Sequence, residues 1–177
     1  YLNIKVDGFP IENEAYDVFK KVYADGKFSN ESMLSEILHY AEYYHTFIHG
    51  DAKYSEKVNF CLKSLRKLNQ TTLFVFLFKL FDDYDNNVLG SDEFEKIMEF
   101  LLNYSIRRLI CEIGSNSLRG LYKTLYSRVY GQEENKNTYY DALVSFFMQL
   151  TSKDALPTDT EFALALRENN LYRKNAL

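Results

Sequence analysis

At 177 residues, 46% hydrophobic and with a net charge of −4, the chain is sized for one domain, with 1–90 and 91–177 as candidate subdomains. A chain this long buries roughly 70% of its unfolded surface, so no disulfide or metal staple is required. Two distant cysteines exclude a disulfide scaffold, and seven Gly with two Pro favour long helices over a turn-rich sheet.

The chain opens on Tyr1 with no charged-then-apolar leader, which reads as a segment of a longer protein rather than a processed secretory one. Helical spacing of apolar residues then recurs almost throughout. Glu12–Ala24 places Ala15, Val18, Phe19 and Val22 on one face and ends at Asp25-Gly26. Ser29 or Asn30 caps a longer helix over 30–49, with Met33, Leu34, Ile37, Ala41, Tyr44 and Ile48 as its expected stripe. Tyr54–Leu68 spaces Val58, Cys61, Leu62, Leu65 and Leu68 for burial. In Leu73–Phe81 every residue except Lys79 is apolar. The alternating Phe74, Phe76 and Phe78 suit a strand, but no partner strand is visible, so the run reads as a buried central helix. It is about half the length a bilayer crossing needs.

Asp82–Gly90 reads as a polar turn, after which Ser91 caps a helix running through Phe94, Ile97, Met98, Leu101, Leu102 and Leu109. Beyond Gly114, Leu118, Leu121, Tyr122, Leu125, Tyr126 and Val129 mark another amphipathic helix. A charged loop, Gly131–Lys136, leads to a helix capped by Asn137 and carrying Ala142, Leu143, Phe146, Phe147 and Leu150. Thr158-Asp-Thr-Glu161 has the form of a capping box and launches Phe162–Leu166. A further helix begins at Asn170. The expectation is an all-α orthogonal bundle of about eight or nine helices, without significant sheet. Cys61 and Cys111, each inside an apolar helical pattern, read as reduced core residues of a cytoplasmic protein.

Charge is distributed unevenly. Tyr104–Tyr130 holds Arg107, Arg108, Arg119, Lys123 and Arg128 against Glu112 alone, a local +4 that leaves −8 on the rest. In outline this is a helix-turn-helix, with Gly114 at the turn and Ser115, Asn116, Arg119 and Lys123 placed to meet DNA. Gly120 then falls where a buried Val or Ile normally locks the second helix. The competing reading is structural. Adjacent arginines point about 100° apart, so one can be buried in a salt bridge while the other faces solvent. Candidate nucleic-acid or interdomain contacts are therefore Arg107, Arg108, Arg119 and Lys123.

Other chemistry is incomplete. Asp82 to Glu93 imitates a calcium loop, with Asn86 fifth and Glu93 twelfth, but Tyr84 stands third and Asn87 sixth, where Gly is needed. A helix-capping loop explains the same residues. His45 and His49 lie four apart near Asp51, yet Thr46 stands where a zincin needs Glu, and His39 is off register. No nucleophile triad, glycine-rich phosphate loop or paired nuclease histidines can be assembled. The expectation is no catalytic residue, no cofactor and no metal site within this chain.

Several landmarks in order carry a resemblance. They are Tyr16-x-x-Phe19-Lys20, Tyr40-Ala41-x-x-Tyr44 and Leu73–Asp85, then Tyr104-x-x-Arg107-Arg108-x-x-Cys111 with Asn116-x-Leu118. Leu156-Pro-x-Asp159-x-Glu161-Phe162 and Leu171-Tyr172 complete the series. Across nearly its whole length the chain resembles the helical region of GmrSD-type restriction endonucleases, bacterial enzymes that cut modified foreign DNA. The Arg-Arg-x-x-Cys and Pro-x-Asp-x-Glu-Phe segments are the most specific. The resemblance implies a parent with an upstream ParB-like nucleotide-hydrolysing domain, bearing an Asp-Gly-Gln-Gln-Arg motif, and a downstream HNH nuclease. A nucleoside triphosphate and a divalent metal are implied for that parent. The partners implied are its flanking domains and DNA, with no membrane. This chain would be the catalytically silent connector. Two alternatives stay open: a calcium-responsive module on Asp82–Glu93 and a free-standing helix-turn-helix regulator.

Overall fold

The computed structural model describes residues 2–6, 10–24, 29–131 and 138–169. Among them are nine α-helices and no strand, so the fold is an all-α, multi-helix bundle. The helices are α1 (Leu2–Lys5), α2 (Ala15–Tyr23), α3 (Asn30–His49), α4 (Glu56–Lys67) and α5 (Phe74–Asp85), followed by α6 (Ser91–Ile110), α7 (Leu118–Tyr130), α8 (Tyr139–Met148) and α9 (Asp159–Glu168). Short 3-10 turns at Glu12–Glu14, Thr71–Leu73 and Ser152–Asp154 precede α2, α5 and α9. The stop expected at Asp25-Gly26, the charged loop at 132–136, a cap at Asn137 and a helix from Asn170 lie outside the described residues. No described helix is long and apolar enough to cross a membrane.

The apolar run beginning at Leu73 forms the central helix α5, which buries Phe74, Phe76, Leu77, Phe78, Leu80 and Phe81. A helix is the economical form here, because it pairs its own backbone N–H and C=O groups without a neighbouring strand. α5 packs between α3 and α7; α4 joins α3 to α6, and α8 bridges α6 and α7. Buried side chains on both sides of residue 90, from Tyr40 to Phe147, belong to one core cluster. Its interior is largely aromatic, with Phe47, Tyr54, Phe81 and Phe94 meeting edge-on or tilted at centroid distances of 4.9–6.3 Å. Such pairs add about 0.5–1.5 kcal/mol each beyond burial of their area.

Helix ends follow local rules with some changes of residue. Ser29 and Ser55 cap α3 and α4 by accepting the amides of Ser32 and Val58. Thr158 and Glu161 form the expected capping box of α9. The cap position of α6, however, is Gly90 rather than Ser91, which is the first helical residue. That of α8 is Thr138. α4, α5 and α6 each end with a left-handed residue, Asn69, Asn87 and Glu112, at φ 55–58°. In each case the following amide returns to a carbonyl five residues back, the closure of a Schellman motif. The turn after α6 is thus made on Glu112, not on Gly114.

Two buried faces differ from the expected stripes. α3 buries Tyr40, Tyr43, Thr46 and Phe47, whereas Leu34 and Tyr44 are more than half exposed. α6 buries Tyr104, Ser105 and Arg108 beyond Leu102, and Leu109 is exposed. In both helices the three-to-four spacing holds. The inward register passes through tyrosine, serine and arginine rather than through the most apolar residues.

Candidate nucleic-acid interface

Arg107 and Arg108 stand in the last turn of α6, where cations complement the helix C-terminus. Arg108 is buried at 2% exposure. Among the described residues no carboxylate pairs with it. Its guanidinium donates to the Gly114 carbonyl at 2.6 Å, the Tyr104 hydroxyl at 3.1 Å and the Lys153 carbonyl. The expected salt bridge is therefore replaced by a fork of neutral oxygens, which suits the planar donor geometry of arginine. The Tyr104 hydroxyl in turn donates to the Asp154 carbonyl at 2.8 Å.

Arg107 points elsewhere. It donates to Asn103 one turn back, to the Pro157 carbonyl at 3.0 Å and to the carboxylate of Asp159, and lies 5.0 Å from the Phe162 ring centre. Both arginines are thus taken up by residues 153–162, the segment that launches α9. α9 buries none of its own residues. Polar contacts to α6 hold it, including the Asn169 amide to the Ile110 carbonyl at 2.9 Å.

The remaining basic residues lie apart from this clasp. Arg119 and Lys123 sit one turn apart on α7, which packs on α5 and α8, whereas α6 packs on α4, α8 and α9. Gly120, between them, is exposed, so it fills no buried locking position of a helix-turn-helix. A cleft of about 520 Å³ between α1, α5 and α7 is lined by Lys5, Lys79, Lys123, Thr124 and Ser127. A recess of about 270 Å³ continues it past Asn3 and Val75 to Thr71, Thr72 and Arg119. Among the described residues neither is lined by a carboxylate. A separate cleft of about 670 Å³ at the α3–α4 corner mixes Asp51 and Glu56 with Lys63 and Arg66. Lys79, the one charge in an apolar run, was legible as an oddity but not as a cleft residue.

Sequence reasoning missed an aspartate–tyrosine cluster. Asp82, Asp83 and Asp85 belong to the last turn of α5 rather than to a loop. Asp82 accepts from Tyr40 at 3.0 Å and pairs with His39. Asp85 accepts from Tyr43 at 3.1 Å, Tyr54 at 3.2 Å and Lys53 at 2.7 Å. Asp83, on the face toward α7 and α8, accepts from Tyr126 and, at 2.7 Å, from Tyr139. Three carboxylates at a helix C-terminus oppose the dipole by about 0.3–1 kcal/mol each. Hydrogen bonds to charged acceptors, at about 1.5–3 kcal/mol each, outweigh that. Burial, then the neighbouring aspartates, pushes the tyrosine hydroxyls well above the ordinary range. The carboxylates point to different partners and do not converge as a calcium loop requires. The available signal was the violation itself, an acidic triplet ending an apolar helix.

His45 and His49 lie 4.5 Å apart between ring centres with their rings tilted by 39°, and both are exposed. Among the described residues no group of three or more His, Cys, Asp or Glu is placed to hold a metal. Cys61 is buried, its thiol pushed up to about 11 by burial. Cys111 is not a core residue: it stands half-buried at the C-cap of α6. Compared with family models, with curated proteins and with solved structures, the chain finds no match.

Proposed function

We propose that this chain is a non-catalytic helical connector of a GmrSD-like bacterial, cytoplasmic restriction protein active in phage defence. It couples an N-terminal nucleotide-hydrolysing domain to a C-terminal HNH nuclease and offers an accessory DNA contact on α7. One observation carries the reading. The two most specific segments of the resemblance, Arg107-Arg108-x-x-Cys111 and Pro157-x-Asp159-x-Glu161-Phe162, lie some 50 residues apart in sequence and close on each other.

The junction suits a coupling element. Asp159 is 92% exposed, so its ion pair with Arg107 contributes at most about 1 kcal/mol. Arg108, by contrast, anchors residue 153 from inside the core. A firmly anchored base with a weakly held helix beyond it can change its docking at small energetic cost. The test uses the full-length protein carrying Arg107→Ala. Nucleotide hydrolysis should persist while DNA cleavage falls at least tenfold. Unchanged cleavage, with hydrogen exchange showing α9 loosened, removes the coupling role. A reading frame lacking both the upstream Asp-Gly-Gln-Gln-Arg motif and a downstream HNH motif removes the family reading.

A further inference from the structure

We infer that the C-terminal end of α3 binds a divalent transition-metal ion, copper(II) in preference to nickel(II), chelated by His45 and His49. The inference goes beyond the connector reading and does not depend on it.

The two imidazoles are already gathered. Residues four apart on a helix share a face, and these rings stand 4.5 Å apart between centres, tilted by 39°. Both side chains are exposed, so an ion reaches them without opening the fold. The separation also selects the metal. Imidazoles bound to one ion at about 2.0–2.1 Å hold their ring centres about 4.5 Å apart at a right angle and about 5.2 Å apart at the tetrahedral angle. The observed spacing is that of the right-angle pair. Right angles belong to the tetragonal ions copper(II) and nickel(II) rather than to tetrahedral zinc, and copper(II) heads the affinity order. The imidazoles take two neighbouring positions and leave the others to water.

The backbone beneath the pair is fixed. Thr46 and Phe47, between the two histidines, are buried. Gly50 closes α3 at φ 79°, its amide donating to the Thr46 carbonyl at 2.7 Å. Asn59 of α4 then holds the next residue, accepting the Asp51 amide at 2.9 Å and donating to the Asp51 carbonyl at 2.8 Å. A Cβ on Gly50 would stand 2.8 Å from the Asn59 Oδ1, so this approach requires glycine. A chelate on such a helix end loses little backbone freedom when the ion arrives.

Local charge favours a cation. The pair occupies the last two turns of α3, at the negative pole of the helix dipole. Glu42, exposed and one turn before His45, lies on the same face. Asp51 follows just past the helix, its carboxylate accepting the Lys53 amide at 2.8 Å. The Lys53 ammonium pairs with Asp85. Lys63 and Arg66 share the α3–α4 cleft with His49, but they stand two to three turns along α4 from Glu56 at its start.

The test is isothermal titration of the untagged 177-residue chain with copper(II) and nickel(II) chloride, followed by electron paramagnetic resonance of the copper form. One ion per chain should bind, copper more tightly than nickel, with an axial copper spectrum showing two nitrogen ligands. His45→Ala and His49→Ala should each weaken copper binding at least tenfold, since one imidazole is no chelate, while their metal-free melting temperatures stay level. His39→Ala removes the third histidine, which pairs with Asp82 on α5, and should leave copper affinity unchanged. No copper binding by the wild-type chain, or wild-type affinity in either His45→Ala or His49→Ala, overturns the proposal. Equal loss in His39→Ala overturns it as well, because binding would then be shared among scattered imidazoles. Zinc held more tightly than copper(II) would do the same.

Discussion

Arg107 and Arg108 are neighbours with opposite duties, and the energies should differ accordingly. Arg108→Ala leaves two carbonyls and the Tyr104 hydroxyl without their buried donor, at a cost of about 3 kcal/mol. Arg107→Ala removes an ion pair to an exposed carboxylate, a ring contact and hydrogen bonds to Asn103 and the Pro157 carbonyl, at about 1–2 kcal/mol. Urea unfolding with an unchanged m-value is the measurement, and equal effects would contradict the geometry. Asp83→Ala strands the hydroxyls of Tyr126 and Tyr139 and should cost about 3 kcal/mol in the same assay. The twin arginines were visible in the sequence; their division of labour was half visible. The series Phe94, Ile97, Met98, Leu101, Tyr104, Ser105 keeps strict helical spacing and arrives at Arg108. Hydropathy pointed to Leu109 instead, and spacing was the better guide.

At the scale of the helix, local chemistry was most readable where it closes within four residues. The Thr158–Glu161 box is one such case, and its contribution should be confined to α9, which buries nothing. Thr158→Ala should cost about 1 kcal/mol, raising amide exchange in α9 about fivefold while the global melting temperature barely moves. A large fall in melting temperature would mean that α9 belongs to the cooperative core. α5 was harder, since an apolar run fits helix or strand equally well. The absence of any partner strand decided it, which is a property of the whole chain. The stripe of α3 was misplaced by about one residue because Tyr40 and Tyr43 look amphipathic in isolation. Their rings pack on Phe78 and Phe81, and their hydroxyls reach Asp82 and Asp85.

For the molecule as a whole, the tyrosines make a prediction about alkaline pH. Tyr40, Tyr43, Tyr54, Tyr126 and Tyr139 are raised by burial and by the aspartates they serve, and Tyr104 is pushed up to about 12 by burial. Unfolded, these hydroxyls titrate near 10. The folded state therefore keeps protons that the unfolded chain releases, so stability is intact below about pH 10 and declines steadily above it. Denaturation midpoints followed with tyrosinate absorbance should fall together. A flat profile through that range would mean the hydroxyls are not held as described. The sequence by itself determined the helical class, the central position of the Leu73–Phe81 run and the capping boundary at Thr158, because periodicity and capping are local and need few neighbours. Only the tertiary structure decided that the basic island divides into an α9 clasp and an α7 groove, and that the acidic triplet is a tyrosine anchor. Those outcomes depend on residues 30–60 positions apart meeting in space, and no local pattern of spacing or hydropathy encodes which of them will meet.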